Sequence, residues 1–343
     1  MGIGYSKSLG LAALLIATVG LGCVAMIQTK FIQPSKSIWG GQYQSSVEAD
    51  FIDHFPLSEI SRDIWTAFQL VILDQTHNDV IRTTDNWLFT AEEFRQPNSD
   101  VSFDDELDSV SAQLQGSGTK LITIVVPDKA RIYAEKLPHA RMDSLEMRYD
   151  SVLNHLKDAQ IQTLDLRPIF LDLKSHAAPY LRTDTHWSPL GSETIAREVA
   201  SLLINSLDTH NIYRTTWSDP SPFNGDLMTF IETGFLSNLI DFPKESVSLA
   251  LTEQVGGEMS LFDNFEIPVT LVGTSFSANP AFNFDGFLKQ HLGVDVLNVA
   301  QIGSGPFEPM RDYLASDDFI SAPPKIVIWE IPERYISTEE TDR

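Results

Sequence analysis

The chain has 343 residues, 43% of them hydrophobic, and a formal net charge of −23 from 24 basic and 47 acidic side chains. That is enough apolar surface for one large or two small folded domains, which excludes a chain disordered throughout. The acidic excess excludes nucleic-acid binding, which needs a basic footprint, and it repels polyanions unless basic side chains gather locally.

The first element is the run Leu9–Ile27, LGLAALLIATVGLGCVAMI, which carries no charged side chain. Its roughly 19 residues at about 1.5 Å each approach the ~30 Å hydrocarbon core. Residues 1–30 are therefore expected to form a transmembrane helix behind Lys7, either a retained inner-membrane anchor or a cleaved signal segment. Cys23 reads as a small apolar member of the span, because Gly20 stands where a lipid-attachment signal prefers leucine. The opening MGIGYS matches a myristoylation pattern that a span behind it makes redundant. No cysteine follows Cys23, so neither disulfides nor a thiolate metal site is expected in the rest of the chain.

Residues 31–46 are polar and punctuated by Gly and Pro, as in a stalk, and Asp50–Ile72 reads as an amphipathic helical segment. One folded domain is expected over 47–336, with a tail over 337–343. Within it, β-branched runs mark five buried strands: Lys120–Pro127, Ile161–Leu166, Ile267–Gly273, Val294–Ala300 and Lys325–Pro332. Helical spacing marks Ser144–Ala159, Ser188–Leu207, Ser277–Leu292 and Pro306–Phe319 between them. Such alternation predicts an α/β fold, a parallel sheet with helices on both faces, whose ligands bind at the carboxyl ends of the strands.

Chemistry is therefore sought in the loops after the strands. Lys129, Arg131, Lys136, Arg141 and Arg148 form a basic group that is either a surface for acidic substrates or a solvated face. Tyr133, in the same region, is a further substrate candidate. In LRTDTHWSPLG, Asp184 and His186 lie two apart ahead of a Ser-Pro helix start, and extended backbone points such residues the same way. They fit a base with its orienting acid, an N-cap with a structural histidine, or two metal ligands; no third ligand stands at a recognisable metal spacing. Ser275 follows the strand ending at Val272 and the Gly273 turn, at the amino end of a helix, where a nucleophile gains from free N–H groups. Ser275 or Ser277 equally suits a helix N-cap. Trp187 stacks on a sugar ring or packs in the core, and Asp226, in an Asn-Gly-Asp turn, either shapes the site or only the turn.

These segments, taken from Ile267 onward and then from Lys120, resemble a circularly permuted SGNH (GDSL-type) hydrolase. GTS resembles the first block, with Ser275 as nucleophile, and LNVAQIGSG resembles the second, with Gly303 or Gly305 in the oxyanion hole. VIWEIPERY stands where the third block has asparagine, with Arg334 nearby; Arg334 either fills that role or pairs with Glu330 or Glu333. TDTHWSPLG resembles the last block, although only Thr185 separates Asp184 from His186. Together with NWLF (Asn86–Phe89) and VVPDKARIYAEKLP, the order of motifs resembles the polysaccharide O-acetyltransferases of the AlgJ/AlgX type over most of Asp85–Tyr335. The resemblance implies a periplasmic enzyme, membrane-anchored in some members, with a Ser275-His186-Asp184 triad; no cofactor or metal is expected. It further implies an alginate-like exopolysaccharide as acceptor and an acetyl donor supplied by a membrane O-acyltransferase. An acetyl esterase with the same triad and an inactive polysaccharide-binding relative are the alternatives.

Overall fold

Five strands, all but the second built largely of Val, Ile and Leu, form one parallel sheet: β1 (Lys120–Val126), β2 (Gln162–Asp165), β3 (Val269–Val272), β4 (Val296–Asn298) and β5 (Ile326–Pro332), in the spatial order β4-β3-β5-β1-β2. Counted from Val269, that order becomes second-first-third-fourth-fifth, a doubly wound arrangement with the chain start moved to another loop. The computed structural model describes residues 16–29, 42–72, 76, 78–83, 85–97, 101–203, 205–208, 211–231, 233–239, 245–257 and 267–337.

Alternation along the strands divides the core into two layers of side chains. Ile122, Ile124 and Val126 of β1 and Ile326 and Ile328 of β5 pack on one face. That face is covered by α3 (Leu166–Lys174), α4 (Pro189–Leu203) and α5 (Phe284–Leu292), which contribute Phe170, Ile195 and Phe287. Val125, Val327, Trp329 and Ile331 face the other way, onto Leu107 of α1 (Phe103–Ser117), Val152 of α2 (Asp143–Asp158) and Met310 of α6 (Phe307–Leu314). The result is the three-layer α/β/α sandwich expected from the alternation of strands and helices.

Several elements depart from the pattern read in the sequence. The segment around Asp50–Ile72 is two helices, Gln42–His54 and Ser58–Ile72, the first of which begins inside the stretch read as a stalk. Pro56 separates them, since it lacks an N–H and disfavours helical backbone at Phe55. The expected helix Ser277–Leu292 is also broken. A single turn, Ser275–Ala278, is followed by a 3-10 turn at Pro280–Phe282, and α5 starts only after Asn283, at φ 50°. Pro280 again ends the turn, with Asn279 extended before it. Short antiparallel pairs, Val80–Arg82 with Leu88–Thr90, Asn211–Trp217 with Ala250–Gly257, and Ser221–Phe223 with Glu245–Val247, lie outside the main sheet.

The chain divides into two compact units, residues 1–75 with 231–241, and residues 76–230 with 242–343. In the first, residues 16–28 are helical. Among the described residues no helix is long and apolar enough to cross a membrane, and residues 9–15 of the expected span Leu9–Ile27 lie outside the described residues.

The basic group read as an exposed surface is largely internal. Lys129, Arg141 and Arg148 are buried, and Lys136 alone of the five is a surface side chain, paired with Asp85. Asp128, just past β1, accepts from Arg141 and Arg148 at 2.7 Å each. Glu333, just past β5, accepts from Arg131 and from the Asp128 N–H, and Glu146 closes the group through Arg131 and Arg141. A buried carboxylate must be paired, and here the pairs clamp together the carboxyl ends of two adjacent strands. Replacing Arg148 by Met leaves Asp128 and Glu333 short of a counter-charge inside the protein and is expected to lower the unfolding free energy by about 3–5 kcal/mol. Urea unfolding measures this, and a change below about 1 kcal/mol would show that the network does not depend on Arg148.

Candidate active site

The loop after α3 folds back on itself before α4 begins. Tyr180 and Trp187 form an isolated antiparallel bridge, and Ser188 N–H donates to Pro179 O at 2.8 Å. Ser188 also starts α4, its hydroxyl accepting from Gly191 N–H. Gly191 is required there, because a Cβ would lie 2.3 Å from Pro179 O. The tip so formed holds Thr183, Asp184, Thr185 and His186, all buried.

Asp184 and His186 meet through a turn rather than through extended backbone. One carboxylate oxygen of Asp184 accepts both the backbone N–H of His186, at 2.9 Å, and its ring Nδ1–H, at 2.6 Å. The other oxygen accepts from Asp226 N–H at 2.9 Å. Burial pushes the Asp184 carboxyl up, but the hydrogen bond and charge of His186 outweigh it and hold it below the ordinary carboxylate range. An ionised carboxylate only accepts, so the proton stands on Nδ1 and Nε2 is left as an acceptor. Nε2 lies 2.7 Å from Ser275 Oγ. The imidazole is stacked on Phe282 and edge-on to Phe276, with ring centroids 5.0 and 4.7 Å away.

On the opposite side of the pair, the Ser275 turn is held from beneath by Glu330 of β5. Its carboxylate accepts from Thr274 N–H at 2.8 Å, from the Thr274 hydroxyl and from the Ser277 hydroxyl at 3.1 Å. Burial raises the Glu330 carboxyl despite these donors. Gly273 is needed because a Cβ there would sit 2.5 Å from Glu330 Oε2. The N-cap is Thr274, not Ser275 or Ser277. Ser277 is buried on Glu330, whereas Ser275 is half-buried and turned to His186. The turn is four residues long, so the long-helix dipole expected behind Ser275 is absent; Thr274 takes the N–H groups of Phe276, Ser277 and Ala278, which leaves that of Ser275 at the head of the turn.

The remaining candidates divide. Trp187 is fully buried against Phe276 and Phe284, so its faces are covered by protein and it is a core residue rather than a sugar platform. Tyr133 is likewise buried, packed on Trp87 at 4.2 Å with Lys174 over its ring. Arg334 is buried, donates Nε–H to Glu92 rather than to Glu330 or Glu333, and lies over the rings of Phe276 and Tyr335 at 5.3 and 5.2 Å. Gly303 and Gly305, at φ 83° and 67°, line a cavity with Arg334. Asp226 proves integral: it orders Asp184 through its N–H and accepts Thr185 N–H at 2.7 Å, and its second oxygen is 3.6 Å from His186 Nδ1. Ligand atoms of Asp184, His186 and Asp226 lie within 4.8 Å of one another, so the pair gains a second acidic group that no local spacing could reveal. Both ring nitrogens of His186 already have partners, Asp184 and Ser275, an arrangement suited to passing a proton.

Two residues hold this loop: Glu245, which the sequence did not single out, and Lys129, read there only as part of a basic group. Glu245 accepts the N–H groups of Arg182 and Thr183. Lys129 is buried and donates its three ammonium hydrogens to Leu88 O, Arg182 O and Asp184 O at 2.6, 3.0 and 2.9 Å. Burial pushes its ammonium down to about 8, against the pull of Glu93, Glu245, Asp184 and Asp226. The motif pair NWLF and PDK thus serves the Asp184 loop through one nitrogen.

The family described as "SGNH hydrolase-like domain, acetyltransferase AlgX" matches residues 80–333. The chain belongs to this family. It is an O-acyltransferase. A protein of Pseudomonas aeruginosa named probable alginate O-acetylase AlgJ is 34% identical over 319 residues, which cover 86% of this chain and 80% of that one. The alginate biosynthesis protein AlgX of the same organism is 29% identical over 278 residues, covering 75% of this chain and 56% of its own length. Among solved structures, the O-acetyltransferase domain of Pseudomonas putida AlgJ aligns with a TM-score of 0.66 and 32% identity, covering 77% of this chain and 94% of that domain.

Two outcomes follow from this geometry. Asp184 titrates below its unfolded value of about 3.9, so its contribution to stability is complete above that pH and is lost as the pH falls through the lower folded value. Unfolding free energies measured from pH 5 to pH 2 should therefore fall less steeply for Asp184→Asn than for the parent; equal slopes would mean that Asp184 gains nothing from His186. Lys129→Met strands three buried carbonyls and is expected to cost on the order of 3 kcal/mol and to slow acyl transfer by disordering the Asp184 loop. An unchanged rate in a folded variant would show that the loop holds its form without the ammonium.

Proposed function

We propose that the chain moves an acetyl group through Ser275, His186 and Asp184 onto hydroxyls of an exported, alginate-like polysaccharide. The observation that carries this reading is the continuous pair of contacts, 2.7 Å from Ser275 Oγ to His186 Nε2 and 2.6 Å from Nδ1 to Asp184. His186 takes the Ser275 proton as Oγ attacks the acetyl carbonyl of the donor, and Asp184 stabilises the imidazolium that results. The Ser275 N–H, at the head of the turn, is the donor available to the negative charge that develops on the carbonyl oxygen. The leaving alcohol takes the proton from His186, and an acetyl-serine remains. In the second half-reaction a sugar hydroxyl gives its proton to His186 and attacks that ester, which restores Ser275 and leaves the sugar acetylated.

Family membership supports a sugar hydroxyl, rather than water, as the final acceptor, and the names of the relatives support alginate as the polymer class. The apolar run Leu9–Ile27 supports a periplasmic enzyme tethered to the inner membrane. In its described part, Ile16, Val19, Met26 and Ile27 are exposed, as side chains meant for lipid would be. The donor on this reading is an ester presented by a membrane O-acyltransferase.

Incubating the detergent-solubilised chain with an activated acetyl ester and uronic-acid or neutral oligosaccharides tests the reading by mass spectrometry. A mass gain of one acetyl group on the oligosaccharide is expected, with a loss of at least ~10³-fold in Ser275→Ala. Acetate released with unmodified sugars would favour an esterase, and full activity in Ser275→Ala would remove Ser275 from the mechanism.

A further inference from the structure

An acidic chain that acts on a polyanion needs cations placed at one spot, and Lys129, Arg131, Arg141 and Arg148 are committed to internal ion pairs and carbonyls. Three other arginines converge instead. Arg95, Arg311 and Arg334 line a single cavity of about 630 Å³, together with Gly303, Gly305, Phe307 and Tyr335. Its volume falls in the ~300–1,000 Å³ range of small-molecule sites. The cavity opens beyond the carboxyl ends of β4 and β5, where doubly wound sheets take their ligands.

The three guanidiniums differ in what already occupies them. Arg334 gives Nε–H to Glu92, and Arg311 is paired with Glu106. Arg95 is exposed and has no ion-pair partner among the described residues. Of the two carboxylates that also reach the cavity, Glu92 is the one that orients Arg334, and Glu308 is exposed. A planar guanidinium offers a fork of N–H donors that matches a carboxylate, and the rings of Phe307 and Tyr335 offer apolar walls. The cavity also borders the reacting residues. Arg334 lies over Phe276, which follows Ser275 in the chain, and the Gly303 loop is pinned to the Ser275 turn by Gln301 N–H on Gly273 O at 3.1 Å and Asn298 Nδ2 on Ser277 O at 2.8 Å.

We infer that this cavity is the acceptor subsite that reads the carboxylate of a uronic-acid unit, with Arg95 supplying the open guanidinium and Arg334 forming the wall shared with Ser275. The inference rests on the polysaccharide O-acetyltransferase reading given above and adds how the acceptor is chosen: a polymer bearing a carboxylate on each sugar is held, and a neutral one is not.

Direct binding separates this inference from the transfer reaction itself. Full-length Ser275→Ala protein, titrated calorimetrically with a uronic-acid oligosaccharide and with the same oligosaccharide after its carboxyls are reduced to alcohols, should bind the first at least about tenfold more tightly. Adding Arg95→Gln should remove most of that preference, and Arg311→Gln should reduce it further while the reduced sugar binds as before. Equal affinity for the two sugars, or a preference that survives both arginine substitutions, would overturn the inference. Acetyl release by the parent protein from an activated ester reports on Ser275 alone, so a failed triad and a failed subsite give different results. Arg95 makes no ion pair among the described residues, and circular dichroism of its Gln variant confirms that the binding is read on folded protein.

Discussion

One ammonium group organises the site. Lys129 leaves the end of β1 and bonds the carbonyls of Leu88, Arg182 and Asp184, so the Asn86–Phe89 hairpin, the Asp184 loop and the sheet meet at a single nitrogen. Its charge is tolerable in the interior because Trp87 and Phe89 present their ring faces at 5.4 and 5.2 Å and four carboxylates lie around it. With the backbone of Asp184 fixed there, its side chain is free to bind both nitrogens of His186 that face it. Ser275, 89 residues further on, meets the imidazole because β3 delivers it to the same edge of the sheet.

The same logic runs through the other buried charges. Asp128, Glu330 and Glu333 each stand at or just beyond a strand end and each collects donors from a neighbouring loop. Carboxylates so placed turn flexible strand-to-helix connections into a rigid rim. In a chain of net charge −23, Lys129, Arg131, Arg141 and Arg148 are spent on internal crosslinks. Such a distribution leaves few places where a polyanion can approach closely.

Much of this was legible in the sequence, and the parts that were not share a cause. Each of the five runs is a strand within two residues of its expected ends, four of them rich in Val, Ile and Leu because buried parallel strands admit little else; the fifth, Gln162–Asp165, is a half-buried edge strand rather than a buried one. Asp184, His186 and Ser275 stood out because acid, imidazole and hydroxyl lie next to punctuated turns. The helix Phe103–Ser117 carries a Ser102 cap, acidic first turn and a left-handed Gly118 stop, signals that were present but not used. By contrast, nothing local distinguishes Lys129, Arg141 or Arg148 from surface residues, since Lys129 is held by carbonyls 41 to 55 residues away and the two arginines by Asp128, itself tied to Glu333 205 residues on. Glu245 was hidden for the same reason, and Asp226 was left between two readings, as their partners lie 63 and 41 residues distant. Trp187 was ambiguous because an aromatic beside a histidine reads alike whether it faces solvent or core.

Strand β5 comes after every other strand of the sheet in the chain, yet it lies between β3 and β1. Until Ile326–Pro332 arrives, the pair β4-β3 and the pair β1-β2 have no strand to join them, and each presents an unpaired inner edge. Completion of the sheet therefore depends on contacts distant in sequence, the kind that slow folding. Glu330, which secures the Ser275 turn, and Glu333, which gathers the arginines, travel on that same strand and its continuation. Closure of the sheet and organisation of the reacting residues are consequently one event, so a chain halted before its last two dozen residues would hold neither an intact core nor a poised serine.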